Sequence, residues 1–411
     1  MPSHSHPDQP SRYRWGVLAI GAASTAAMAA VQGGLPALGP ALQEAFDLTL
    51  VQVAGIFTAF GAGTVLTVYA WGVLADRIGE RLVLASGPAL GGVALALATL
   101  ARGYPAVLAA AVLAGVFAAA ATSGSGRAVF GWFPRAERGF ALGLRQTAVP
   151  VGAAAASFSL PPLAAATSVD VALLVLAGGL VLSSIVAGIW LRDPPARRSA
   201  APPAPPAARD PRIWRLGAAS ALLIVGQVGV TSLLVLYLFS ERGWSAAGAA
   251  VALGTIQLGG AVARVLAGRW SDRRDERIAP FRNLAGVAGA LLLAAAALAD
   301  APDAIFVPVL MAGGVLAMSW NGLSFTAAAE ISGGAQAGRA MGLQNTLMRI
   351  AGAAVPVGLG ALAASVSWQA AFAAMGLAPL AGRALLRPLV EDEDRRRRER
   401  HARMAHQAAG A

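Results

Sequence analysis

Long apolar runs of about 20 residues alternate with short polar segments along the chain, and each run is long enough for a helix to cross a hydrocarbon core roughly 30 Å thick. A stretch with seven prolines at residues 192–212 separates two sets of six runs. Such a stretch favours extended backbone over a membrane helix. The pattern predicts helices at about 15–36, 50–74, 82–101, 105–130, 139–162, 169–191, 213–240, 245–270, 280–299, 304–328, 338–365 and 367–387.

The two sets of runs resemble each other in sequence. The polar segment from Gly72 to Arg81 recurs 196 residues later, from Gly268 to Arg277, with Gly, Asp and Arg at the same spacing. A second pair of segments, 139–147 and 338–346, aligns at a shift of 199 residues. Two alignments at nearly the same shift indicate an internal duplication.

The duplication predicts an all-α membrane protein with 12 transmembrane helices in two pseudo-symmetric six-helix bundles. Because the number of helices is even, the chain should return to the side on which it starts. The expected segments are an N-terminal tail at 1–14, a first bundle at 15–191, a Pro/Arg-rich linker at 192–212, a second bundle at 213–387 and a charged tail at 388–411. In that tail, acids precede arginines by four residues from Glu391 onward, which favours an exposed helical extension.

Composition agrees with a protein that lies mostly in lipid. Hydrophobic residues make up 56% of the chain and charged residues 13%, and a soluble protein would carry about twice that charged fraction. The chain has no cysteine, which excludes disulfides and cysteine-ligated metals. We expect no metal site, no cofactor and no catalytic residues, because neither a nucleotide-binding motif nor a catalytic set of side chains is present.

The basic residues are distributed unevenly between the two sides of the predicted membrane. All 32 are arginine, and outside the apolar runs only Arg102 and Arg242 fall in the alternate loops. Basic loops stay in the cytoplasm, so both termini and the linker are predicted to be cytoplasmic. This asymmetry explains the net charge of +11 without nucleic acid, which we do not expect as a partner.

The polar segments and the repeat resemble the major facilitator superfamily over essentially the whole chain. The family signature between the second and third helices, Gly-x-x-x-Asp-Arg-x-Gly-x-Arg/Lys, is matched by Gly72, Asp76, Arg77, Gly79 and Arg81. In the second copy the matching residues are Gly268, Asp272 and Arg273, and Asp275 replaces the second Gly. The resemblance implies two bundles around a central cavity that opens to each side in turn, as in alternating access.

The two copies of the signature are predicted to form a conformational gate. A helix start presents unpaired N–H groups and a partial positive charge, and a carboxylate can accept hydrogen bonds from these groups. Asp76 is therefore expected to bond the start of helix 11, and Asp272 the start of helix 5, which would hold the cytoplasmic side shut. The alternative is that these charges only anchor loops at the lipid surface.

Within the superfamily, two segments look like those of bacterial anion carriers of the cyanate/nitrate type and of anion:cation symporters. One is the segment from Gly126 to Thr147. The other, Ala263-Arg264-Val-Leu-Ala-Gly268, is similar to the run in which monocarboxylate and nitrate carriers place a substrate-facing Arg. The arginine that proton antiporters carry on helix 4 would fall at Ala111 and is absent, which weakens a drug-efflux interpretation.

Three arginines, Arg145, Arg264 and Arg349, lie deep inside predicted spans, where a charge costs a few kcal/mol unless it faces a cavity or a partner. At about 1.5 Å per residue, Arg349 lies near the midplane, about 16 Å into its helix. Arg264 and Arg145 lie about 12 and 9 Å from their helix ends. A guanidinium stays protonated and its fork of donors suits a carboxylate or an oxyanion. The alternative for each arginine is a structural hydrogen bond between helices.

No carboxylate lies in the middle of a predicted span, and all four histidines are in the tails. An anionic substrate is therefore predicted, and any coupling to protons would use the substrate, water or a residue near a span end. Further candidates for substrate contact are the polar or aromatic side chains that fall inside the spans, although each is equally suited to join helices. They are Gln32, Gln146, Gln227, Gln257, Trp320 and Asn321.

These observations predict a secondary transporter of small organic or inorganic anions in the cytoplasmic (inner) membrane of a bacterium. It is expected to act as a monomer, by symport, antiport or facilitated passage, with the anion and the lipid bilayer as partners and protons as a candidate coupling ion. Two alternatives stay open at this point, a proton-coupled exporter of drugs or metabolites and a non-transporting sensor with a transporter fold.

Overall fold

The computed structural model describes residues 12–101, 103–133, 138–192, 210–332 and 337–409. All regular elements in these ranges are helices, and twelve stretches among them are long and apolar enough to cross a membrane. The predicted all-helical membrane fold is therefore confirmed. The N-terminal tail as far as residue 11 and most of the predicted linker lie outside the described residues.

The first half of the chain contains seven α-helices and one short 3-10 turn among the described residues. The short helix α2 follows the first span directly, and the 3-10 turn Ala98–Leu100 closes the third. The helices are α1 Tyr13–Ala37, α2 Gly39–Phe46, α3 Leu50–Ile78, α4 Glu80–Leu97, α5 Tyr104–Trp132, α6 Arg138–Ala166 and α7 Val169–Trp190.

The second half also contains seven helices in its described residues. Two of them, α11 and α12, share one membrane span. The helices are α8 Pro211–Ser240, α9 Ala246–Arg274, α10 Ile278–Ala297, α11 Asp303–Ala317, α12 Asn321–Ile331, α13 Ala337–Ser365 and α14 Trp368–Ala409.

The tenth span differs from the prediction, which placed one continuous helix at 304–328. In the structure α11 ends at Ala317 and α12 begins at Asn321, with Met318, Ser319 and Trp320 between them. No proline or glycine stands in that gap to indicate it in the sequence. The break instead coincides with a tertiary contact. The side chain of Arg264 on α9 donates a hydrogen bond to the Met318 carbonyl.

The last helix extends far beyond the predicted span end at residue 387. It continues to Ala409 through the run Glu391–Arg398. The expectation that this extension is exposed was wrong in part, because the segment packs against the start of α10. Glu393 accepts hydrogen bonds from the N–H groups of Arg277 and Ile278 at 2.7 and 3.0 Å.

The described residues form two compact units. The first comprises Met1–Ala201 with Thr231–Leu258, and the second Pro202–Val230 with Gly259–Ala411. The C-terminal part of α8 and the N-terminal part of α9 thus belong to the first unit, although the repeat assigns both helices to the second bundle. The predicted domain boundaries stay predictions.

Each unit is held by close helix packing in which small residues let backbones approach. In the first unit, Gly115 of α5 lies against the backbone of Phe60 on α3, and a side-chain carbon there would overlap it. In the second unit a hydrophobic core joins α8, α10, α12, α13 and α14. Trp320 lies inside that core and stacks on Phe281 with ring centroids 5.5 Å apart.

Candidate functional site

Arg264 is held in place by the break in the tenth span. Its Nη2 donates to the Met318 carbonyl at 2.8 Å and to Asn321 Oδ1 at 3.2 Å, and its Nε donates to the same carbonyl at 3.3 Å. Two predicted residues, Arg264 and Asn321, are thus brought together. Nη1 has no hydrogen-bond partner among the described residues. The guanidinium is therefore anchored through Nε and Nη2.

Arg349 lies on α13 and is half-buried. Its Nε is fully buried and has no hydrogen-bond partner, and within the described ranges no hydrogen bond or ion pair joins the guanidinium to another residue. A buried cation normally has a counter-charge, since desolvating it alone costs several kcal/mol. Arg349 is therefore suited to a partner that the protein itself does not supply.

Arg145 belongs to a different arrangement. It is buried, 7% exposed, and its Nη1 donates to Ser125 Oγ at 3.1 Å and Thr25 Oγ1 at 3.3 Å. The two hydroxyls also lie 3.1 Å from each other. Arg145 on α6 thus joins α1 and α5, and this contact favours the structural alternative over substrate binding.

A matching cluster occurs in the second unit, and the sequence reasoning missed it. Gln344 on α13 is fully buried and its Nε2 donates to Ser220 on α8, at 2.9 Å, and to Ser324 on α12. Gln344 follows Arg145 by 199 residues, and Ser324 follows Ser125 by the same number. The sequence signal that could have identified this cluster is the 199-residue shift that aligns the two halves. A polar junction of three helices therefore occurs at equivalent positions in both units.

The remaining amide candidates are scattered. Gln32 is exposed on α1, Gln146 and Gln227 are half-buried, and Gln257 is 8% exposed on α9. No hydrogen bond among the described residues involves Gln32, Gln146 or Gln257. Trp320 is 1% exposed within the core, so its position indicates packing and we do not propose a substrate contact for it.

The two copies of the charged signature make different bonds. In the first unit Gly79 ends α3 with a φ of +89°, Arg77 is exposed, and Arg81 Nε donates to the Gly188 carbonyl at 2.9 Å. The Asp76 side chain lies outside the described part of the structure. Gly72 lies on α3 with open space beside it. The predicted contact of Asp76 with helix 11 stays a prediction.

In the second unit the carboxylate of Asp272 pairs with Arg277 at 2.7 Å, and Arg277 also pairs with Glu330 at 2.9 Å. Desolvation of Arg277 opposes its charge, but the hydrogen bond and charge of Glu330 and the charge of Asp272 outweigh it and raise its pKa. Gly268 and Arg273 lie on α9, and Arg273 is exposed. The predicted bond of Asp272 to helix 5 stays a prediction.

The charged end of α14 extends this network of ion pairs. Arg397 donates to Glu276 at 2.5 Å, and Asp392 pairs with Arg212 at 3.1 Å. Arg212 also bonds Asp210, and that hydrogen bond is the main reason why the pKa of Asp210 is lowered. In the described residues no group of three or more His, Cys, Asp or Glu side chains is arranged to hold a metal ion.

Comparisons with known proteins place the chain among membrane transporters. The model of the Major Facilitator Superfamily matches residues 18–356. An uncharacterized MFS-type transporter of Mycobacterium tuberculosis, Rv2994, is 35% identical over 372 residues, which cover 90% of this chain and 83% of that protein. The probable nitrate/nitrite transporter NarK2 of the same species is 31% identical over 176 residues, covering 42% of this chain and 44% of that protein.

Solved structures show the same fold. A bacterial homolog of the human lysosomal transporter Spinster, in an inward-facing and occupied conformation, superposes with a TM-score of 0.73 at 15% identity. The match covers 95% of this chain and 98% of that protein. The same homolog in an unoccupied conformation gives a TM-score of 0.72 at 14% identity.

Proposed function

This chain belongs to the Major Facilitator Superfamily, and we propose that it is a secondary transporter that carries a small organic or inorganic anion by alternating access. The single observation that carries the choice of an anion is Arg349. A half-buried guanidinium without a partner among the described residues, deep in a membrane span, is stabilised by a negative substrate. Arg264, on another helix of the same unit, presents a second cation, whose Nη1 has no hydrogen-bond partner among the described residues.

Two further observations support this proposal. The similarity to a probable nitrate/nitrite transporter covers nearly half of the chain. Planar oxyanions such as nitrate and carboxylates also match the parallel N–H groups of a guanidinium. In the proposal Arg264 and Arg349 contact the anion, whereas Arg145 joins helices and the amides remain secondary candidates.

Coupling and location form part of the same proposal. Since the acidic residues of the described spans lie near span ends, a coupling proton would travel with the substrate or through water. We propose that the protein resides in the cytoplasmic membrane of a bacterium with both termini in the cytoplasm, because the arginines concentrate in those segments.

Counterflow in proteoliposomes tests the proposal. Purified protein would be reconstituted and assayed with isotope-labelled nitrate, nitrite, cyanate, formate and lactate. We expect saturable exchange of at least one of these anions. Replacing Arg264 or Arg349 with Gln should reduce exchange by about tenfold or more, since a hydrogen bond to a charged group contributes about 1.5–3 kcal/mol.

Arg269→Gln provides the matched control, because Arg269 is an exposed residue near the cytoplasmic end of the helix that carries Arg264. Its exchange should equal that of the unmodified protein. Normal anion exchange by the Arg264→Gln, Arg349→Gln double variant would overturn the assignment of the site. Failure of all five anions, together with exchange of a cationic or neutral solute, would overturn the substrate class.

A further inference from the structure

The break between α11 and α12 creates a main-chain acceptor inside a membrane span. Met318 caps α11, and the last carbonyl groups of a helix have no partner within the helix and carry partial negative charge. Arg264 donates to the Met318 carbonyl through both Nε and Nη2. This main-chain contact fixes where the guanidinium lies, and no side-chain substitution can remove its acceptor.

Asn321 supplies the second contact, from the first residue of α12. Its Oδ1 accepts a hydrogen bond from Nη2 of Arg264 at 3.2 Å. This second acceptor restricts rotation of the guanidinium plane more than the Met318 carbonyl does alone. The amide oxygen is neutral. It therefore orients the cation without cancelling the charge, whereas a carboxylate at the same place would form an ion pair with it.

The neighbouring residue leaves space beside the arginine. A Cβ built on Gly322 would meet a single non-local atom within 4 Å, Cγ of Arg264 at 3.9 Å. Gly322 is exposed, and Nη1 of Arg264 has no partner in the part of the chain that the structure describes. Nε and Nη2 thus bond the break, and among the described residues Nη1 remains available as a donor.

We propose that Asn321 is a positioning residue, which together with the helix break directs Nη1 of Arg264 toward the transported anion. This inference rests on the proposed function. It adds that a neutral acceptor at position 321 is a requirement for the charge selectivity of the site, because the charge on Arg264 has to remain uncompensated by the protein.

The test compares Asn321→Ala with Asn321→Asp, in which the new side chain has nearly the same shape as that of Asn. KM and maximal rate would be measured by counterflow for nitrate, nitrite, cyanate, formate and lactate at several pH values. Asn321→Ala should raise KM about fivefold with little change in maximal rate, since one hydrogen bond to a charged group is lost. Asn321→Asp should raise KM further, because its carboxylate competes with the anion for Arg264.

The pH dependence separates positioning from a structural role. As the pH falls, the carboxylate introduced by Asn321→Asp becomes protonated, and the side chain again resembles a neutral acceptor. The ratio of the KM of this variant to that of the unmodified protein should therefore decrease toward acidic pH. Ser319→Ala is the matched control, because the Ser319 hydroxyl lies in the same break but donates to the Leu316 carbonyl at 2.7 Å.

The outcomes distinguish this inference from the proposed function. If the unmodified protein exchanges none of the five anions but exchanges a cationic or neutral solute, the proposed function fails. If it exchanges an anion and Arg264→Gln abolishes that exchange, yet both Asn321 variants keep a normal KM at every pH, the positioning role is overturned. A KM ratio for Asn321→Asp that does not change with pH would also overturn it. Thermal unfolding in detergent checks that both variants are folded.

Discussion

Gly79 and Asp275 occupy equivalent positions in the two copies of the charged signature, and both have a positive φ. Gly79 has φ +89° and ψ +160°, a combination that is open essentially to glycine alone. Asp275 has φ +51°, a left-handed conformation that Asp and Asn tolerate better than other side chains. The absence of the second glycine from the second copy is therefore compatible with a positive φ at that position.

The two positions should respond differently to substitution. We expect Gly79→Ala to destabilise the first unit by about 1–3 kcal/mol, because alanine cannot adopt that backbone without strain. Asp275→Gly should be tolerated and leave stability within about 0.5 kcal/mol of the unmodified protein. Thermal unfolding in detergent measures both. Equal effects of the two substitutions would show that the turn conformations do not limit stability.

Arg145 and Gln344 occupy equivalent positions as well, and each joins three helices through two hydroxyl groups. If Arg145 serves to join helices, a glutamine at position 145 should form hydrogen bonds to hydroxyl groups as Gln344 does in the second unit. We predict that Arg145→Gln keeps anion exchange within about twofold of normal, which is the range of a change below about 0.5 kcal/mol. A loss comparable to that of Arg264→Gln in counterflow would instead make Arg145 a substrate ligand.

At the scale of the elements, apolar run length predicted most spans as single helices close to where they lie, and the exceptions have physical causes. The break at Met318–Trp320 was missed because it contains ordinary residues and is associated with a bond from Arg264, on a distant helix. Packing of the α14 extension was missed because its charges are equally typical of a solvated surface.

The α14 extension offers a test of its own. Glu393 accepts hydrogen bonds from N–H groups at the start of α10, as an N-cap residue would. Glu393→Ala should therefore destabilise the second unit by about 0.5–2 kcal/mol, and Glu393→Gln by less, since an amide oxygen can still accept. Glu399→Ala, on the exposed part of the same helix, is the control in thermal unfolding. No difference between positions 393 and 399 would contradict the capping role.

At the scale of the whole molecule, the internal duplication predicted the fold, but it predicted the site incompletely. The apolar pattern placed Arg264 and Arg349 inside spans, yet it could not show that one is anchored and that the other has no partner among the described residues. Those properties depend on side-chain directions and on neighbours distant in sequence. The repeat also could not show which neighbours the arginines of the signature bond: Arg81 donates to a carbonyl of α7, and Arg277 pairs with Asp272 and Glu330.

The second acidic partner of Arg277, Glu330, predicts unequal effects of replacing the two aspartates of the signature. We expect Asp76→Asn to weaken transport and shift the population toward the inward-facing state. Asp272→Asn should have the smaller effect, because Arg277 keeps its pairing with Glu330. The absence of cysteine makes accessibility labelling of single introduced cysteines free of background. Unchanged labelling and transport in Asp76→Asn would refute the gating role of that residue.

The hydrogen bonds between Glu393 and Ile278 join residues that are 115 positions apart, and the later one lies near the end of the chain. During synthesis α10 enters the bilayer well before its cap has been translated. Until then the first turn of α10 has to rely on water or lipid headgroups for its N–H groups. This end of the second unit is therefore completed only after Glu393 has been translated, and a nascent chain halted before Glu393 would expose an incomplete surface that proteases and chaperones can recognise.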